Sequence, residues 1–136
     1  MVREIIHDPA VLRKKSEKAT AGDIQIAEDL ADTLRANRDR YPGMAACMIG
    51  EHKRIIALVK GSMVIPMFNP RILMQSGEYT AEEECPVLGR TKPARRYKTI
   101  RLLWQDAKMK EHVALIDGYR AQMIQHMIDH CDGVLI

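Results

Sequence analysis

Apolar and polar positions alternate along this chain in two distinct periods, and the periods predict its elements. From Asp23 to about Arg40, residues Ile26, Ala27, Leu30, Ala31 and Leu34 recur at helical spacing, with Asp23 as a cap and Tyr41-Pro42-Gly43 as a stop. Arg54 to Lys60 encloses a short β-branched apolar run and predicts a buried strand. Met63 to Met74 is extended but interrupted by Pro66 and Pro70, which suits edge or irregular pairing. Thr99 to Trp104 and Glu111 to Ile116 predict two further strands joined by a polar connection. After Asp117-Gly118, residues Ala121, Ile124 and Ile128 with Met123 and Met127 mark a second helix, and Gly133 ends it as a C′ residue. The order of helix, strands and helix gives an α+β class.

Composition narrows this picture. The 136 residues suit one domain spanning 1–136, and 46% hydrophobic with 29% charged residues is an ordinary globular balance. No apolar run approaches membrane-span length, and the first twenty residues are charged, which leads us to expect a cytoplasmic protein with no membrane partner. A net charge of +3 argues for no DNA partner by itself. Nine Met stand against one Phe and one Trp, and the three Cys read as thiols or metal ligands rather than a disulfide frame.

The sharpest local signal is His126-Met127-Ile128-Asp129-His130. Two His four apart on a helix share one face, so both imidazoles can reach a single ion. On spacing alone the pair reads equally well as two ordinary helix histidines. A third ligand must come from elsewhere, and Cys85, Cys47, Cys131, His7, His52 and His112 are candidates. One thiolate, two imidazoles and an open position would make a catalytic rather than a structural site.

Three segments together resemble the peptide deformylases, metal-dependent hydrolases that remove the formyl group from the N-terminal methionine of nascent proteins. The family motifs GxGLAAxQxG, EGCLS and QHExDH face Gly43-Met44-Ala45-Ala46-Cys47-Met48-Ile49-Gly50, Glu83-Glu84-Cys85-Pro86-Val87 and Gln125-His126-Met127-Ile128-Asp129-His130, in that order. Val11-Leu12-Arg13, Asn69-Pro70 and the tail from Asp132 to Ile136 match the surroundings. The resemblance implies mixed or antiparallel β-sheets packed around a metal-binding helix. It also implies a divalent ion on Cys85, His126 and His130: iron(II) in the native family state, with zinc or nickel as alternatives. Gly43, Met44 and Ala45 fall where the family binds substrate, the N-terminal peptide of a nascent protein. Glu83 matches a carboxylate that the family pairs with an arginine seven residues past the Cys. That place is Lys92 here, which can make an ion pair but not a bidentate one. Asp129 is a supporting candidate, or equally an ordinary helix carboxylate.

The catalytic positions differ. Where the family has a glutamate that moves a proton, this chain has Met127, whose thioether cannot act as acid or base. Met48 replaces a glutamine that donates to the oxyanion, and Pro86 replaces a residue whose backbone N–H does the same. Random loss would strike the ligands as well, and all three remain. The expectation is therefore a metal- or peptide-binding pseudoenzyme with little or no deformylase activity. The alternative is a working metal-dependent amide hydrolase, a slow deformylase using Glu84 or metal-bound hydroxide; a third reading keeps the fold and loses the metal. Cys47, one residue before Met48, is read first as a small buried residue and second as a ligand or redox partner; Cys131 is given no role. The basic stretch from Arg90 to Arg101 makes only a weak case for contact with the ribosome, and we favour a solvated strand face.

Overall fold

The computed structural model describes all 136 residues. A short helix α1 (Pro9–Leu12) is followed by a 3₁₀ turn (Ala21–Asp23) and helix α2 (Ile24–Ala36). Strand β1 (Gly43–Ala45) and a second 3₁₀ turn (Ala46–Ile49) lead to β2 (Ile55–Lys60), β3 (Met63–Cys85), β4 (Arg90–Gln105) and β5 (Glu111–Asp117). Helix α3 (Gly118–Cys131) comes last. The strands form one sheet in sequence order, and every pairing is antiparallel. No helix is long and apolar enough to cross a membrane.

Helix α2 ends four residues before the expected limit. Asn37 closes it, with its side-chain amide donating to the Thr33 carbonyl at 2.8 Å. Asp23 does precede the helix, yet its carboxylate accepts from the Thr20 N–H at 2.8 Å instead of capping α2. The apolar run of β2 is buried from Ile55 to Leu58 on both faces, as a central strand requires. It packs against Leu30 and Leu34 of α2 and against Phe68, Ile100, Leu102 and Ile124 in one core.

The prolines do not end β3, which runs for 23 residues. Pro66 pairs only with β2, because β4 joins β3 from Phe68 onward, so its missing N–H faces no neighbour. Pro70 falls where the register shifts between Phe68 and Arg71, a bulge that needs no ladder bond there. Asn69, at φ +50, turns its amide onto both backbone groups of Ala19, at 2.8 and 2.9 Å. Past Ser76 and Thr99, where the pairing with β5 ends, β3 and β4 continue as a long two-stranded ribbon toward Cys85.

Helix α3 lies across that ribbon. Its C-terminus closes as a Schellman motif, with the Gly133 N–H on the His130 carbonyl at 3.1 Å and the Val134 N–H on the Asp129 carbonyl at 2.9 Å. Gly133, at φ +75, sits so close to the Arg13 carbonyl that a Cβ would strike it. This is the C′ glycine that the sequence predicts.

Candidate metal centre

Two local causes place the three sulfur and imidazole groups. Cys85 is the last residue of β3, at the mouth of the turn to β4. Its carbonyl accepts from the N–H groups of Leu88 and Gly89, the latter at φ +65. His126 and His130 are one turn apart on the buried face of α3. Helix α3 is registered on the ribbon by Gln125, whose side chain accepts from the Tyr97 N–H and donates to the Tyr97 carbonyl, both at 2.9 Å. Tyr97 lies just past the stretch of β4 that β5 covers, so Gln125 occupies an edge that has no strand partner.

The three groups meet. The Nε2 atoms of His126 and His130 are 3.0 Å apart, and Cys85 Sγ is 3.5 Å from His130 Nε2. Their ligand atoms all lie within 4.8 Å of one another, and all three residues are buried. A tetrahedral ion at ordinary Zn–N and Zn–S lengths spaces two imidazole nitrogens by about 3.3 Å and nitrogen from sulfur by about 3.6 Å. Both spacings lie within about 0.3 Å of these values, so the donor set suits a single ion. His130 Nδ1 is buried and has no hydrogen-bond partner, so the ring is held only from the side that faces Cys85 and His126.

A carboxylate network sets the histidine. Glu83 Oε1 is 2.9 Å from His126 Nδ1, which keeps a proton on Nδ1 and aims Nε2 toward Cys85 and His130. Glu83 in turn accepts two bonds from Arg96, Nε to Oε2 at 2.9 Å and Nη2 to Oε1 at 2.7 Å, and one from Gln122 at 2.9 Å. Arg96 Nη1 also donates to Asp129 at 2.7 Å. Burial alone would raise the Glu83 carboxyl, but the bonds from His126, Arg96 and Gln122 outweigh it and hold it at about 2. Burial works against charge on His126 as well, yet its contacts with Cys85 and Glu83 bring it up to about 9. His130, buried and facing the charges of His126 and Arg96, is pushed down to about 3.

Lys92 does not take the expected part. It is the direct cross-strand neighbour of Glu83, but its ammonium reaches the Leu135 carbonyl at 3.3 Å near the ribbon tip. Arg96 pairs with Glu83 instead, bidentately, and is only 3% exposed, which also corrects the reading of Arg90 to Arg101 as a wholly solvated face. The sequence did carry a signal for this: Ala94, Ile100 and Leu102 alternate inward on β4, and position 96 has their parity. Gln122 was missed, and Gln125, although it opens the third motif, was given no role, because an amide on a helix carries no periodic signature.

The remaining candidates surround a cavity of about 290 Å³. Met48, Met127, Pro86, Glu83, Glu84 and Gly43 line it together with Cys85 and His126. Glu84 is exposed. Met44 and Ala45 are fully buried in the core and do not line it. A Cβ on Gly43 would lie 3.1 Å from the Ala57 carbonyl and 3.3 Å from Met123 Cγ, so the strand runs close to both. Cys47 lies outside the cavity with its thiol donating to the His130 carbonyl at 3.7 Å, and burial pushes it up to about 12. Cys131, equally buried, is raised to about 12 for the same reason. Neither thiol joins the ligand group.

The polypeptide deformylase family model matches residues 2–136. A peptide deformylase of Clostridium beijerinckii is 40% identical over 136 residues, 100% of each chain. One from Dictyoglomus thermophilum is 33% identical over 142 residues, covering 100% of this chain and 91% of that one. The crystal structure of a peptide deformylase from Legionella pneumophila aligns with a TM-score of 0.88 at 28% identity, over 99% of this chain and 83% of that one. The Thermus thermophilus structure aligns at 0.85 and 30% identity, over the same shares of the two chains. With the family matched from end to end and its antiparallel α+β fold in place around one Cys and two His, the chain belongs to the polypeptide deformylase family.

Proposed function

We propose that this chain is a metal-binding member of the deformylase family in which the hydrolysis of N-formyl-methionyl peptides is impaired. The family uses a single metal ion, and a divalent one on Cys85, His126 and His130, iron(II) by resemblance or else zinc or nickel, would supply Lewis-acid polarisation of the amide carbonyl. The observation that carries the impaired reading is that Met127, Met48 and Pro86 all lie on the wall of the cavity that Cys85 and His126 share.

Hydrolysis of an amide moves a proton from water to the leaving amine and places negative charge on the carbonyl oxygen. Glu83 is committed to the His126 Nδ1–H and to Arg96, so it orients a ligand and has no free lone pair directed at a substrate. Met127 neither accepts nor delivers a proton, Met48 has no donor, and Pro86 has no N–H. A lost general base costs about 10²–10⁴-fold and a lost oxyanion donor about 10²–10³-fold, and the losses overlap when the groups act together. Binding is less affected. The outer edge of β1, which bears Gly43, has no strand partner and can pair with an extended N-terminal peptide.

One observation favours a working enzyme: Glu84 lines the same cavity and is exposed, so its carboxylate is free to serve as a base. Elemental analysis together with formyl-methionyl peptide hydrolysis decides between the two. The impaired reading expects bound metal with turnover at least about 10²-fold below that of a relative retaining Glu and Gln at these places. It also expects a gain of about 10²-fold or more in kcat/KM from the combined Met127→Glu, Met48→Gln and Pro86→Leu substitutions. Ordinary turnover in the wild type that Glu84→Gln abolishes would establish the alternative.

A further inference from the structure

Strand β3 places two residues where β4 places one. Between the pairs Phe68–Gln105 and Arg71–Leu103, Asn69 and Pro70 stand opposite Trp104 alone. Asn69 turns its side chain onto the backbone of Ala19 and the side chain of Gln105, the latter at 2.7 Å. Trp104 is half-buried, with the His112 ring stacked on it at 5.3 Å between centroids. Both the bulge and the indole border a second cavity, of about 550 Å³, within the range of small-ligand sites. It reaches the C-terminal end of α3 at Ile128 and Asp132 and shares no lining residue with the metal cavity. Five charged side chains line it. Arg54 and Asp132 neutralise each other at 2.6 Å. Lys18, Arg71 and Glu111 are exposed and take part in no ion pair or side-chain hydrogen bond. Two unpaired cations match a phosphate monoester, which carries about −1.5 to −2 near neutral pH, and a guanidinium fork meets phosphate bidentately. Glu111 opposes a bare phosphate, because an ionised carboxylate only accepts hydrogen bonds; it calls for a ligand that brings donors as well. Trp104, Ile72 and Ile128 offer that ligand an apolar wall.

We propose that this cavity binds a nucleoside monophosphate, either free or at the end of an RNA strand. Its phosphate meets Lys18 and Arg71, its base packs against Trp104, and its ribose hydroxyls donate to Glu111. A nucleotide supplies the dianion, the planar apolar ring and the donors in one molecule, whereas phosphate alone or a nucleoside alone satisfies only part of the lining. The site stands apart from the metal centre and does not depend on how that centre is read.

Trp104 is the only tryptophan of the chain, so its emission reports on this cavity without a label. AMP titrated into the full chain should change that emission saturably, with one site per chain by calorimetry. Adenosine, which lacks the phosphate, and inorganic phosphate, which lacks the ring, should each bind at least about tenfold more weakly. Lys18→Met and Arg71→Met keep the apolar stem and remove the charge. Each variant, checked for folding by circular dichroism, should weaken AMP by about tenfold. Cys85→Ser should bind AMP as the wild type does. A short oligoribonucleotide bearing a terminal phosphate, compared with AMP, identifies the source, and tighter binding of either one supports the same chemistry. No saturable response up to about millimolar AMP would overturn the proposal, as would AMP affinity untouched in both Met variants. Inorganic phosphate or adenosine binding as tightly as AMP would equally overturn it, leaving a simple anion site or an apolar slot.

Discussion

At the residue scale the metal site depends on one arginine. Arg96 neutralises a carboxylate that has been taken out of water, and its planar fork meets both Glu83 oxygens while a third N–H holds Asp129. Removing one partner of a buried pair leaves the other charge uncompensated, which costs about 3–5 kcal/mol. Arg96→Met should therefore lower the unfolding free energy read from urea titration by that order and weaken metal binding, since Glu83 would no longer hold His126. Lys92→Met, which removes a cation from the same ribbon face at an exposed position, should change stability by less than about 0.5 kcal/mol. Equal effects would mean that Glu83 draws on the ribbon's general charge rather than on one partner. The ligands themselves were legible in the sequence because Cys and His carry chemistry in their identity and spacing. Lys92 was misread because a count of residues from Cys85 ignores which ribbon positions a long side chain can reach. Arg96 reaches Glu83 from four residues farther along the strand.

At the scale of elements, the helix and strand periods were readable where burial is one-sided and hidden where it is not. Helix α2 presents one apolar face and was found, with an error only at its end. The ribbon from Met74 to Arg101 has no strand beyond its two partners over most of its length, so its alternation is diluted by exposed charge, and only fragments of β3 and β4 stood out. Docking of α3 on this ribbon was invisible for a related reason: an amide performs it. Gln125 completes the hydrogen bonding of Tyr97 as a strand would, and it also donates to the Ala121 carbonyl at 3.0 Å. Gln125→Leu keeps the bulk and strips the pairing, leaving a half-buried N–H and C=O without partners at a cost of about 1–3 kcal/mol. Hydrogen exchange at the Tyr97 amide should accelerate accordingly, while amides in β2, on the far side of β3, keep their protection. If Tyr97 exchange were unchanged, another group would have to satisfy that edge.

At the scale of the whole molecule, the N-terminal segment is fastened to α2 through one buried carboxylate. Asp29 is 4% exposed and accepts from Gln25 at 2.9 Å, from the Met1 amino group at 3.0 Å and from Arg3 at 3.2 Å. The Arg3 N–H adds a bond to Thr33 at 2.8 Å, and Arg3 Nη2 reaches the Ile49 carbonyl at 3.3 Å, next to the turn that carries Met48. The bond from Gln25, followed by that from the Met1 amino group, outweighs the burial penalty and lowers the Asp29 carboxyl below its ordinary value. The unfolded chain, with this group near 3.9, therefore binds its proton first as pH falls. The stabilisation is full above about pH 5, declines through the unfolded value, and is lost once pH has dropped through the lower folded value. Glu83 follows the same sign toward about 2, so the acid limb of the wild type has at least two contributors. Asp29→Asn separates them. It cannot titrate, so its stability should be lower than wild type at pH 7 and should approach wild type as the medium is acidified toward pH 3. Urea unfolding at a series of pH values reads this directly. A constant difference between the two chains across that range would show that the carboxylate charge contributes nothing and that only its shape holds the segment in place.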